Sequence, residues 1–175
     1  MANPFYGQNK ADDAVDFAKN ACSGDAFGTV EVAGANEQYG TAANPMSKSD
    51  LNRTIVNGHA DGLDVFLPAV SSADAGMWLR VVVGVTNSGA STVITAATGD
   101  PLVGNVIITK ATDAVANAAY FASDGSDLIF TMNGSTTGGL LGTWFRFTDV
   151  ASGIFMLEGC LCSTGTEADP FSAAV

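Results

Sequence analysis

Basic side chains are scarce in this chain. Seven Lys and Arg stand against eighteen Asp and Glu, for a formal charge of -11 at pH 7. Nucleic acid and anionic membranes are gripped by clustered Lys and Arg, so this balance speaks against both as partners. Histidine occurs once, as His59, and cysteine three times, as Cys22, Cys160 and Cys162. An odd number of cysteines builds no disulfide framework, and one Cys-x-Cys with a distant third falls short of the four ligands of structural zinc. There is no run of about eighteen apolar residues to span a bilayer. The opening MANPFYGQNKADD lacks the basic stretch and apolar core of a secretory signal, so the expectation is a chain made and folded in a cytoplasm, without a membrane partner.

What the chain does have is apolar surface and turns. Hydrophobic residues make up 47% of the 175, charged residues only 14%, and there are 20 glycines. That is enough to bury a core, and the abundance of Gly, Ala, Ser and Thr suits many short strands joined by tight turns. The stretch Leu63 to Val85 carries Gly76-Met77-Trp78-Leu79-Arg80, and Asp127 to Val150 carries Gly142-Thr143-Trp144-Phe145-Arg146. Both tryptophans and two of the three arginines thus sit in the same Gly-x-Trp-x-Arg phrase. Side chains alternate faces along a strand, which sets Trp78, Arg80 and Val82 against Leu79, Val81 and Val83, and Trp144, Arg146 and Thr148 against Phe145 and Phe147. The two stretches read as related hairpins.

Residues 1 to 25 read as an N-terminal arm with at most one short helix, over Ala11 to Ala21, with Asp12 and Asp13 at its N-terminal end and Lys19 near the other. Residues 26 to 175 read as a single β domain. Strands are predicted over Phe27–Ala33, Arg53–Asn57, Asp64–Val70, Met77–Thr86, Ser91–Thr98, Val103–Lys110, Ala118–Ala122, Leu128–Asn133, Thr143–Asp149 and Gly153–Cys162. Gly34 to Leu51 reads as a long loop broken by Pro45, and Ala111 to Tyr120 is ambiguous between helix and strand. Short strands at this spacing predict an all-β protein, an antiparallel β-sandwich or barrel of jelly-roll type.

No reaction chemistry is legible. His59 near Asp61, Asp64, Ser71 and Ser72 lacks a nucleophile elbow and reads as a turn histidine. Cys160 and Cys162 would share one face of the last strand as small apolar residues. Asp100, Asp124 and Asp127 fit side-chain hydrogen bonds in turns and lack the twelve-residue calcium loop. The Thr136-Thr137-Gly138-Gly139 segment lacks the Gly-Lys-Ser/Thr ending of a phosphate loop. No catalytic, cofactor-binding or metal-binding residue is therefore assigned. Trp78, Arg80, Trp144 and Arg146 are packing residues or interface anchors, and Pro4, Phe5, Tyr6 and Phe17 of the arm are aromatic or rigid candidates for holding a partner.

Four phrases carry a resemblance: Ala2-Asn3-Pro4-Phe5-Tyr6-Gly7, Phe66-Leu67-Pro68-Ala69, Asn133-Gly134-Ser135-Thr136-Thr137-Gly138-Gly139, and Ser163-Thr164-Gly165-Thr166-Glu167-Ala168-Asp169-Pro170-Phe171-Ser172. With the Trp144 strand they resemble the small head decoration, or cement, proteins of tailed bacteriophages, over the chain from about Leu63 to the end. The resemblance implies a non-enzymatic homotrimer on the outer capsid surface of a virion, bound to the major capsid protein and bridging its subunits. The alternative is a receptor- or glycan-binding β module of a tail, fibre or adhesin, with Trp78 or Trp144 as a stacking platform.

Overall fold

A computed structural model describes residues 29–35, 37–110 and 118–173. The proposed arm and its helix, with Pro4, Phe5, Tyr6 and Phe17, lie outside these. So do Cys22 and most of the ambiguous segment after Lys110.

The described residues form twelve strands: β1 (Thr29–Ala33), β2 (Glu37–Tyr39), β3 (Arg53–Asn57), β4 (Leu63–Phe66), β5 (Trp78–Val83), β6 (Thr92–Thr95), β7 (Leu102–Lys110), β8 (Ala118–Ala122), β9 (Ile129–Met132), β10 (Trp144–Ala151), β11 (Ile154–Ser163) and β12 (Phe171–Ser172). They make two sheets. Sheet A has seven strands in the order β1-β3-β5-β10-β11-β7-β8, and sheet B has five in the order β12-β9-β6-β4-β2. The fold is all-β and sandwich-like, as expected.

Three points of the sequence reading are corrected. The sheets are mixed rather than antiparallel throughout: β1, β3 and β5 run parallel in sheet A, as do β2, β4 and β6 in sheet B, and β11 is parallel to β7. From β1 to β6 the chain switches sheets at every step, so each circuit lays one strand in each layer and the next circuit stacks beside it. Parallel neighbours need a crossover, and here the opposite sheet supplies it. The two Gly-x-Trp-x-Arg stretches are consequently not hairpins. Each runs from a sheet B strand, β4 or β9, across to a sheet A strand, β5 or β10, and the two phrases meet as antiparallel neighbours with Arg80 opposite Arg146. The predicted loop at Gly34 to Leu51 also holds more structure than expected, namely β2 and a 3-10 turn at Lys48–Asp50 capped by Ser47.

The core lies between the sheets and follows the predicted alternation. Leu79, Val81, Val83, Phe145 and Phe147 point inward and are buried, while the residues between them face out. Phe130 of β9 reaches across to Phe145 (ring centroids 5.0 Å apart) and Phe147 (6.2 Å), and beside Phe171 of β12 (5.4 Å). The tilted and edge-on contacts suit the ring quadrupoles.

A polar hub crosses one end of this core. Asn57 Nδ2 donates to Asn87 Oδ1 at 2.7 Å, and Asn87 Nδ2 donates to Thr92 Oγ1 at 2.9 Å. All three side chains are buried. The loop from β9 to β10 closes over the hub: Gly134 has φ +74°, and a Cβ there would lie 1.7 Å from the Asn87 carbonyl oxygen, so only glycine fits.

Candidate functional site

The outward face of sheet A is organised in rows by the strand register. One row crosses all seven strands: Val32, Val56, Val82, Trp144, Cys160, Ile107 and Tyr120, each paired with the next. Every member is apolar or aromatic. Its two ends are the most open, Val32 and Tyr120 being 69% exposed, and the members between are half-buried. Large apolar residues exposed one at a time are ordinary on a protein surface, but a continuous row across a sheet is the kind of patch that marks an interaction site.

The neighbouring row carries the charge. Thr54, Arg80, Arg146, Glu158 and Asn105 stand side by side on β3, β5, β10, β11 and β7. Arg146 pairs with Glu158 through Nη2 and Oε1. Arg80 has no carboxylate partner among the described residues; its guanidinium carbon lies 5.3 Å from the centroid of the Trp144 ring, a cation-π contact. Arg80, Trp144, Arg146 and Glu158 line a shallow depression of about 240 Å³. A third row, Trp78, Thr148, Met156 and Val103, runs beyond the charged one and is again largely apolar. The third arginine, Arg53, is committed elsewhere, to Glu31 at 2.8 Å and Asp50 at 2.7 Å.

The structure thus brings Trp78, Arg80, Trp144 and Arg146 onto one face, as their period-two spacing predicted, and sets both tryptophans half-exposed on the outside of the sandwich rather than in its core. Sequence reasoning missed Val32, Val56, Ile107 and Tyr120. Cys160 and Cys162 share this face, and burial, then the neighbouring Cys162, push the Cys160 thiol above its usual range. A thiol so shifted is a poor nucleophile at neutral pH.

The remaining sequence candidates take structural places. His59 is exposed in its turn, with Nδ1 3.0 Å from Asp61 Oδ2. The Ser71 hydroxyl donates to Asp74 at 2.7 Å, and Lys48 reaches the same carboxylate at 2.5 Å; Lys48 first, then Ser71, hold Asp74 below the ordinary carboxylate range. Asp124 Oδ1 accepts from the Ser126 hydroxyl and amide, which lowers its pKa, and Asn133 Oδ1 accepts from three successive amides in the Ser135–Thr137 turn. Among the described residues no three His, Cys, Asp or Glu side chains come together in a way that would hold a metal ion. A cleft of about 170 Å³ beside Thr41, Pro45, Phe66, Leu67 and Thr95 has no titratable side chain in its lining. No helix among the described residues is long and apolar enough to cross a membrane. What this surface can do chemically is bind, through apolar area, aromatic rings and a few oriented charges.

Comparison with models of known protein families, with curated proteins and with solved structures returns no match.

Proposed function

We propose that this chain is a non-enzymatic structural protein of a virion, a decoration protein that binds the outside of a capsid and stabilises it by bridging capsid subunits. The observation that carries the reading is the outer face of sheet A, where an unbroken apolar and aromatic row lies beside Arg80, Arg146 and Glu158. Interface cores are enriched in Trp, Tyr, Met and Arg, and this face offers all four. The resemblance in the sequence supplies the kind of assembly, and the acidic balance of the chain discourages adhesion to nucleic acid during it. In this reading the face is an assembly surface, and the residues before Thr29, with Pro4, Phe5, Tyr6 and Phe17, hold the shell. Linked copies engaging several capsid sites gain by multivalency, because each later contact is intramolecular.

The test is co-sedimentation of the purified full chain with empty capsids, alongside a variant lacking Met1 to Asp25. The full chain should pellet with shells and raise their resistance to heat, and the truncated chain should bind more weakly. A full chain that stays in the supernatant at saturating shell concentration would sink the proposal.

A glycan-binding module is the second reading, favoured by the half-exposed Trp144 beside the depression. Against it, Arg80 already occupies part of the ring's surroundings where a sugar would stack. Tryptophan emission that shifts on adding sugars, with no binding to shells, would reverse the order of the two readings.

A further inference from the structure

Resting on the reading of this face as an assembly surface, we infer that its partner is a second copy of the same chain, packed face to face about a two-fold axis that runs along β10, midway between the two copies. β10 is the fourth of seven strands, so the axis divides sheet A evenly. A two-fold along the central strand lays each row on its own symmetry mate and exchanges left for right. β5 of one copy then faces β11 of the other, and Arg80, which has no carboxylate partner among the described residues, comes opposite the second copy's Glu158. The contact is made twice, once on each side of the axis.

Charge selects this axis over the alternative. A two-fold running across the strands, along the charged row, would set Arg80 on Arg80 and Glu158 on Glu158, and like charges brought together in a closed interface repel. Along β10, only Arg146 meets its own mate, and Glu158 already balances its charge. Within one copy Arg80 and Glu158 stand two strands apart, about 10 Å between backbones, with Arg146 between them. The carboxylate can therefore be shared between Arg146 of its own chain and Arg80 of the other.

The apolar row behaves consistently under the same operation. Trp144 lies beside its mate at the axis, Val82 meets Cys160, and Val32 meets Tyr120, so the two most exposed apolar side chains of the face cover one another. The three rows hold sixteen positions, seven, five and four, and at about 4.8 Å by 6.8 Å each they give a footprint of roughly 500 Å² per copy. With both copies counted, that is about the 1,000 Å² that a specific interface needs. An isologous contact uses the whole face at once and closes at two copies. A trimer, as the resemblance implies, would need a different surface.

The experiment is sedimentation equilibrium of the full chain, with Arg80→Glu and Glu158→Arg variants measured separately and as an equimolar mixture. The wild type should be a dimer. Each variant alone should associate at least tenfold more weakly, since it sets like charges together twice. The mixture should recover association, because the carboxylate introduced by Arg80→Glu meets the guanidinium introduced by Glu158→Arg in the other copy, while the remaining pair is native. That recovery also shows both variants folded; a thermal melt of each covers the case where one is not. A monomeric or trimeric wild type, or well-folded variants whose mixture stays monomeric, overturns the two-fold. Capsid co-sedimentation run on the same samples separates the two claims: a monomer that pellets with shells removes only the dimer, and a dimer that ignores shells removes only the decoration reading.

Discussion

Replacing Asn87 and Asn57 singly and together interrogates the polar hub that ties β3, β6 and the β9 to β10 loop. Asn87→Ala removes the acceptor of Asn57 Nδ2 and the donor to Thr92, both inside the protein. Thr92 Oγ1 still accepts from the Leu63 amide at 3.3 Å, so the group left stranded is Asn57 Nδ2. A stranded buried donor costs about 1–3 kcal/mol, and each lost hydrogen bond contributes about 1 kcal/mol net. The expected loss is therefore roughly 2–4 kcal/mol, or about 4–16 °C in Tm for a chain of this size. Asn57→Ala strands Asn87 Oδ1 in turn and frees the His59 amide, which Asn57 Oδ1 accepts at 3.2 Å. In the double variant neither amide is left facing an empty partner, so the combined loss should fall short of the sum by about 1–3 kcal/mol. Urea unfolding of the four proteins, extrapolated to water, measures this directly. Losses that add to within about 0.5 kcal/mol would mean the two amides are not coupled and the hub is incidental.

Other perturbations probe other parts of the molecule. Asp149 is buried, and burial, then the Asp74 charge, raise its pKa against a smaller opposing effect of the Ala151 amide. A raised folded-state pKa gives stability that is present below the unfolded value and lost as pH rises through the folded one. Asp149→Asn should therefore melt higher than wild type at pH 7, with the gap closing as pH falls into the ordinary Asp range; a lower-melting variant at pH 7 would contradict this. Phe130→Ala should cost about 3–5 kcal/mol in chemical unfolding, since it empties a site shared by three other rings. Gly134→Ala meets both a left-handed backbone and the Asn87 carbonyl, and a loss below about 1 kcal/mol would show that the loop yields instead. Iodide should quench the emission of a monomeric Arg80→Glu variant more than that of the wild type, because both tryptophans lie on the face that the dimer closes.

How much of this was legible in the sequence depends on how local the signal is. The bounds of β3 and β8 are those predicted: Thr54, Ile55 and Val56 are β-branched at the centre of Arg53 to Asn57, and Tyr120 and Phe121 supply the strand signal among the alanines of Ala118 to Ala122. β2 and β12 were missed, being three and two residues long and lacking a full alternation. The opposite faces of Trp78 and Leu79 followed from strand period alone. Which strands are neighbours did not. Parallel strands buried on both faces read as continuous apolar runs, but β3 and β5 bury one face only, so their alternation looks antiparallel. The apolar row was hidden for the same reason: Val32 and Tyr120 belong to one surface only after five other strands are placed between them, and neither has a distinctive neighbour in the chain.

The position of β10 also sets an order of events. The circuits from β1 to β6 use pairings about two dozen residues apart, Val32 with Val56 and Val56 with Val82. On the far side of sheet A, β7 waits for β11, with Ile107 pairing Cys160 more than fifty residues later. Between these two halves no strand pairing exists in the sheet until β10 enters and hydrogen-bonds to both β5 and β11. The chain emerging from a ribosome can therefore complete its first circuits early, but sheet A can close only when its central strand arrives, late in synthesis. The strand that joins the halves is also the one whose outward Trp144 marks the middle of the face. An assembly surface centred there cannot exist on a partly folded chain, so premature association through it is prevented by topology rather than by a separate safeguard.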